Sequence, residues 1–218
     1  MGAVRQLLRV AGTALRDGPG PLLVARRAIR DFGAIQRTWE LQALLGEVRR
    51  LRPSTVVEIG SHRGGTLVCW TAVAAATARI VSIDMPTFDG EWSGLGEEDL
   101  ARVRRYLAPG QTLTAISADS HASETKARLE EILAGAPVDL LWIDGDHTFD
   151  GVKQDFEMYR PLVRPGGLVG FHDVAGADLG PGFGSTSFWE LIKTRYDAHE
   201  YVAESRPGSG MGIGVLRI

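Results

Sequence analysis

Apolar positions between residues 38 and 51 recur at three- and four-residue steps, through Leu41, Leu44, Leu45 and Val48. That is the period of an amphipathic helix, and Pro53 ends it. Two earlier stretches, 4–16 and 22–32, read as helices on either side of the breaker Asp17-Gly18-Pro19-Gly20-Pro21. From Ser54 the pattern changes. Short β-branched runs at 55–60, 79–85, 112–117, 138–144 and 167–173 predict five strands. Helical stretches fall between them, at 64–77, at 97–107, within 124–134 and at 149–163. Strands alternating with helices of this length predict a parallel sheet covered on both faces. The end of the chain differs. A helix near 187–196 precedes two strand-like runs, 199–204 and 212–218, joined by the turn-rich 206–210, which together predict an antiparallel hairpin.

Composition narrows the class. The 218 residues are 44% apolar and 23% charged, which is the profile of a globular chain of one-domain size. A net charge of -3 excludes a global basic field for nucleic acid. The charge is uneven: residues 1–50 hold nine Arg against four acids, about +5, leaving about -8 for the rest. This basic start reads as a solvated helix face, with a membrane-surface or partner contact as the sharper alternative. Cys69 is the lone cysteine and lies in an apolar run, so buried packing in a reducing cytoplasm is expected. No apolar run reaches the roughly 18 residues that span a bilayer. Arg5, Arg9 and Arg16 interrupt what a signal peptide would need as an apolar stretch.

In a doubly wound sheet, ligands bind at the carboxyl ends of the strands, and acids gather there. The five strands end near Glu58, Asp84, Asp119, Asp144 with Asp146, and Asp173. The first loop, Gly60-Ser61-His62-Arg63-Gly64-Gly65, opens a helix whose N-terminus favours an anionic group. His62 stands where a dinucleotide fingerprint has its second glycine, and no Lys follows as in a phosphate-cradling loop. Asp84, 24 residues after Gly60, sits where a carboxylate can accept both hydroxyls of a ribose. Asp119 and Ser120 precede a helix and could serve either a ligand or its N-cap. Asp144 and Asp173 end strands expected to be neighbours. Two carboxylates brought close repel unless a cation lies between them.

The words VVEIGSHRGGT, VSID, ISADS, DLLWIDGDHTFDGVKQD and PGGLVGFHD, in this order over about 54–176, resemble the class I S-adenosylmethionine-dependent methyltransferases. The pattern IDG-x-H-x-[YF]-x-x-V-x-x-D followed by PGG and HD is most similar to metal-dependent sugar O-methyltransferases and cephalosporin hydroxylase-like proteins. The resemblance implies a Rossmann-like, doubly wound, mostly parallel seven-stranded sheet over 53–218, with a C-terminal antiparallel hairpin and an N-terminal helical extension over 1–52. It implies that Glu58, Gly60, Ser61 and Gly64 hold the methionine end of S-adenosylmethionine, Asp84 the ribose, and Asp119 with Ser120 the adenine, with Asp144 beside the cofactor. It further implies a divalent metal, Mg or another, at Asp144 and Asp173, and a catalytic base at His147 or Asp146. His172 stands where related enzymes have an acidic ligand, and imidazole suits Zn, Fe or Ni better than Mg.

The expected activity is metal-assisted O-methylation of a small hydroxylated molecule in the cytoplasm, with no nucleic-acid partner and no membrane span. The N-terminal helices could build a homo-oligomer. The alternatives are a metal-independent methyltransferase and a non-catalytic cofactor-binding protein of the same fold. The loops 86–96 and 175–186, with Phe88, Trp92 and Phe183, read as lids or as ordinary connections. His62, His121 and His199 read as ordinary loop or surface residues, and Trp142 as core.

Overall fold

A computed structural model describes residues 19–88, 92–175, 184–202 and 211–218. The expected helix over 4–16, the turn 206–210 and Phe183 lie outside the described residues. The first described helix, α1 (Pro21–Phe32), starts with Pro at its first position and stops at Gly33, whose φ of 69° only glycine adopts freely. Helix α2 (Thr38–Leu51) follows. Then come β1 (Thr55–Ile59), α3 (Gly65–Val73), β2 (Arg79–Asp84), the two-residue strands β3 (Thr87–Phe88) and β4 (Trp92–Ser93), and α4 (Glu97–Arg104). The chain continues through β5 (Thr112–Ser117), α5 (Ser123–Leu133), β6 (Val138–Ile143), α6 (Phe149–Tyr159) and β7 (Val163–His172). It closes with α7 (Ser185–Ile192), β8 (Asp197–Tyr201) and β9 (Ile213–Arg217).

Seven strands form one sheet in the order β5-β2-β1-β6-β7-β9-β8. The first five are mutually parallel, and β9 pairs antiparallel with both β7 and β8. The reversal of direction on either side of β1 and β6 leaves a crevice at their carboxyl ends, the expected ligand position in such a sheet. Successive strand residues face opposite sides and split the core in two. Val56, Ile80, Leu140 and Trp142 pack against α1, α2, α3 and α4. Val57, Val81, Leu141 and Phe171 pack against α5, α6 and α7. Residues Val24, Ala28, Leu41 and Leu44 of α1 and α2 thus complete one face of the sheet's core.

Several expected boundaries shift, each for a local reason. Helix α6 stops at Tyr159, because Pro161 forces a 3-10 turn over Arg160–Leu162. Strand β7 begins at Val163 rather than 167. The Pro165-Gly166-Gly167 step is absorbed by a register shift against β6, with Gly166 at φ 76°. Helix α3 ends at Val73, and the last helix and β8 both start earlier than expected. Within the 86–96 loop, β3 and β4 pair as a short antiparallel ribbon that the sequence pattern did not indicate.

Candidate active site

The β1–α3 loop is held in an unusual backbone shape, with left-handed φ at Gly60 (80°), His62 (46°) and Gly64 (78°). Gly60 has a second reason to be glycine: a Cβ there would lie 2.1 Å from the Asp144 carbonyl oxygen. The tips of β1 and β6 are thereby locked together, with Asp144 N donating to Ile59 O at 2.9 Å. Ser61 is buried, and its hydroxyl pairs with that of Ser82 at 2.7 Å. No side chain caps the first turn of α3, whose N-cap is Gly64. Asp84 closes the other side of the loop. It accepts the Leu95 amide at 2.9 Å, and burial raises its carboxyl despite the backbone amides of Leu95, Ser61, His62 and Met85.

Glu58, expected at the methionine end of the cofactor, makes its contacts with α3 and Ser61. It is fully buried beneath the loop, accepts the Thr66 hydroxyl at 2.8 Å and the Trp70 indole N–H, and is pushed by burial up to about 8. Thr66 and Trp70 both belong to α3, so the carboxyl fastens that helix to β1 and points into the core, with the Ser61 hydroxyl of the loop as a further hydrogen-bond donor.

The strongest convergence is at the ends of β6 and β7. Asp144, His147, His172 and Asp173 each offer a ligand atom, all within 4.8 Å of one another. His147 Nε2 lies 3.4 Å from Asp144 Oδ1 and 3.2 Å from Asp173 Oδ2. His172 Nδ1 lies 3.3 Å from Asp144 Oδ1 and 3.4 Å from Asp173 Oδ1. Burial alone would lower His147, but hydrogen bonds and charges from Asp144 and Asp173 raise it to about 10. His172 is raised against burial in the same way. Asp144, which burial would raise, is held down at about 2 by His172 and His147. Asp173 owes its direction to a left-handed backbone, φ 57°, and to the Met211 amide, which donates to its Oδ1 at 3.1 Å.

Two supporting contacts come from outside the motifs. Gln36, in the α1–α2 connection, donates from Nε2 to Asp144 Oδ2 at 2.9 Å, and its Oε1 is buried without a hydrogen-bond partner. Sequence reasoning missed it, since one Gln in a short connection carries no pattern. The start of α7 is tied to the same place: Gly184 N donates to His147 O at 2.7 Å and the Thr186 hydroxyl to Asp173 O at 3.0 Å.

The remaining expected site residues sit further out. Asp146 is exposed and accepts the Thr148 amide at 2.8 Å, turned back on the start of α6; of the two candidate bases only His147 joins the cluster. Asp119 accepts the His121 amide at 2.9 Å and does not cap α5, whose N-cap is Ala122. The Ser120 carbonyl accepts the Tyr159 hydroxyl at 2.6 Å. Trp142 is core, as expected, and packs at a tilt against Trp70, with ring centroids 5.7 Å apart. Cys69 is buried.

A divalent cation fits this donor set. Two carboxylates and two imidazoles converge, and each carboxylate has one oxygen fixed by an outer donor, Gln36 or the Met211 amide, which is the support metal ligands receive. The imidazoles suit a borderline ion better than Mg, for which Asp144 and Asp173 would be the oxygen ligands. S-adenosylmethionine also fits the chemistry of the crevice, with an uncapped helix N-terminus for its carboxylate and glycine backbone that permits close approach. Among the described residues no helix is long and apolar enough to cross a membrane.

The family described as "Methyltransferase domain" matches residues 57–174. An uncharacterized protein of Sinorhizobium fredii, y4gI, is 34% identical over 151 residues, which cover 68% of this chain but only 16% of that protein. Among solved structures, the O-methyltransferase TomG from Streptomyces achromogenes, involved in tomaymycin synthesis and holding S-adenosylmethionine, aligns with a TM-score of 0.58 at 19% identity, over 91% of this chain and 89% of that one. The MycE methyltransferase of the mycinamycin pathway, in complex with Mg and S-adenosylhomocysteine, aligns with a TM-score of 0.60 at 18% identity, over 92% of this chain and 55% of that one. At these identities the likeness is one of fold.

Proposed function

The chain belongs to the methyltransferase-domain family, and from that membership we propose that it transfers a methyl group from S-adenosylmethionine to an oxygen of a small hydroxylated molecule, a sugar or a natural product, with a divalent cation beside the acceptor. The observation that carries the reading is the Asp144–His147–His172–Asp173 cluster at the crevice, next to the Gly60–Gly64 loop. The O-methyltransferase TomG, which shares the fold, supports oxygen as the target, and the MycE complex supports a metal.

In this reading Gly60, Ser61, Gly64 and the start of α3 take the methionine end of the cofactor, with Glu58 holding α3 in place from beneath. Asp84 takes the ribose hydroxyls and the Asp119–Ser120 turn lies beside the adenine. Asp144, Asp173 and His172 hold the cation, with Gln36 fixing the outer oxygen of Asp144. When bound, the cofactor supplies the electrophilic methyl group, and the cation supplies positive charge that orients the acceptor and eases loss of its proton. With the charge of Asp144 and Asp173 taken up by the cation, His147 would lose the partners that hold it protonated, and its Nε2, the nitrogen that faces both carboxylates, would accept that proton. Most of the rate comes from holding the acceptor oxygen and the methyl group close and aligned. The exposed Leu22, Leu23, Ile35 and Trp39 of the N-terminal extension, residues 1–52, form the surface for self-association, and the protein works in the cytoplasm.

A second reading has its own observation. The two histidines, both raised, neutralise the two aspartates, so the charges of the cluster balance as ion pairs without a cation, with His172 Nε2 left buried without a hydrogen-bond partner. Chelation separates the two. Methyl transfer to a panel of sugar and phenolic acceptors should be lost with EDTA and restored by Mg²⁺, Mn²⁺ or Zn²⁺. Activity that is indifferent to chelator assigns the metal-independent mechanism, and no binding of S-adenosylhomocysteine overturns the whole proposal.

A further inference from the structure

One part of the long motif is not used by the site above. Its last acid, Asp155, lies on α6 and is fully buried, with no close hydrogen bond to either carboxylate oxygen beyond a contact with the Ser120 hydroxyl. A buried charge in that state is costly unless a countercharge is near. The group placed to pair with it is His121, expected from sequence to be an ordinary loop residue, whose Nε2 lies 3.4 Å from Asp155 Oδ1 and 3.2 Å from the Gly151 carbonyl oxygen. On its other nitrogen, His121 Nδ1 lies 4.0 Å from Asp119 Oδ1.

The helix geometry makes this systematic. Gly151, Asp155 and Tyr159 are spaced by four residues and share one face of α6. All three meet the 118–121 turn: Gly151 and Asp155 through the His121 ring, and Tyr159 through its hydroxyl, which donates to Ser120 O at 2.6 Å. Gln154 adds a long contact, 3.4 Å, to the His121 carbonyl oxygen. Asp155 also lies just below the crevice floor. A Cβ placed on Gly145 would come within 3.7 Å of its Oδ2 and 3.1 Å of Ile59.

We propose that Asp155 and His121 form a latch that holds the Asp119–Ser120 turn in the shape that receives the adenine end of the cofactor. Asp155 is a positioning residue that acts through His121 and touches no ligand. The latch rests on the cofactor reading given above and adds to it the device by which one helix face sets the nucleobase subsite. Its action is local. The contacts that support the cation cluster from outside, those of Gln36, the Met211 amide and the start of α7, do not include His121.

The test is calorimetric titration of the full chain with S-adenosylhomocysteine, and separately with Mn²⁺, for wild type, His121→Ala, His121→Gln, Asp155→Asn and the double variant His121→Ala/Asp155→Asn. His121→Ala should weaken S-adenosylhomocysteine at least tenfold, and the double variant should be no weaker than threefold beyond it, because both break one device. His121→Gln, which keeps a donor near the Nε2 position, should recover most of the loss. Mn²⁺ affinity should stay within threefold throughout. Unchanged affinity in folded His121→Ala overturns the latch, as do losses that multiply in the double variant, or Mn²⁺ affinity falling in parallel with the nucleoside. His121 is partly exposed, so its variants test the idea even if Asp155→Asn does not fold. Failure of the wild type itself to bind S-adenosylhomocysteine overturns the cofactor reading on which the latch rests.

Discussion

Replacing Glu58 by glutamine separates a structural duty from a ligand-binding one. Burial pushes this carboxyl from 4.5 up to about 8, against hydrogen bonds from Ser61, Trp70 and Thr66. A carboxyl raised in the folded state holds its proton more tightly there than in the unfolded chain. Its contribution to stability is therefore complete below its unfolded value and is lost as the pH rises toward the folded one. Each pH unit in that window is worth about 1.4 kcal/mol, so between pH 5 and pH 7 the wild type should lose about 3 kcal/mol through this one group. Glutamine has a similar shape and no proton to lose. Its fixed cost, an amide facing the Thr66 and Trp70 donors, does not vary with pH. Urea denaturation at pH 5, 6, 7 and 8 should show the variant gaining on the wild type by about 3 kcal/mol over the first two units. Asp84 and Asp155 are raised as well, and their losses cancel in the difference. In the same preparations, S-adenosylhomocysteine affinity should change less than threefold, because the carboxyl points into the core. Parallel pH curves would refute the buried, raised state. A tenfold loss of affinity at unchanged stability would show that Glu58 holds the ligand directly, since a lost charge-assisted hydrogen bond is worth about 1.5–3 kcal/mol.

Gln36→Ala removes the donor on the outer oxygen of Asp144, and Mn²⁺ affinity by calorimetry should fall roughly 10- to 100-fold with little change in melting temperature; an unchanged affinity refutes the supporting role. Gly60→Ala should destabilise by at least about 2 kcal/mol in urea, from left-handed strain plus a Cβ 2.1 Å from the Asp144 carbonyl oxygen. His147→Asn should lower the methyl-transfer rate roughly 10²- to 10⁴-fold while S-adenosylhomocysteine binds as before; a near-normal rate would remove His147 from proton transfer.

The resemblance in the motif words and the alternation of strands and helices made the architecture legible, because period-2 and period-3.6 patterns are local consequences of what each element must bury. The five carboxyl-end tips could be placed on one edge from the chain alone, since strands joined through crossover helices run parallel and so end on the same side of the sheet. Chain order said less about direction. Glu58 and Asp144 end neighbouring strands, yet one carboxyl turns inward to Thr66 and Trp70 and the other outward to His147, His172 and Gln36. Asp146 and His147 are adjacent in sequence, and only the histidine reaches the cluster, because the aspartate is taken up by the Thr148 amide at the start of α6. Which elements form, and which edge bears the acids, is thus written in the order of residues along the chain. Which of those acids faces the crevice, and that Gln36, Asp155 and His121 support the site, emerges once the chain is folded. Elements follow from nearby residues, whereas these contacts join residues 34 to 108 positions apart.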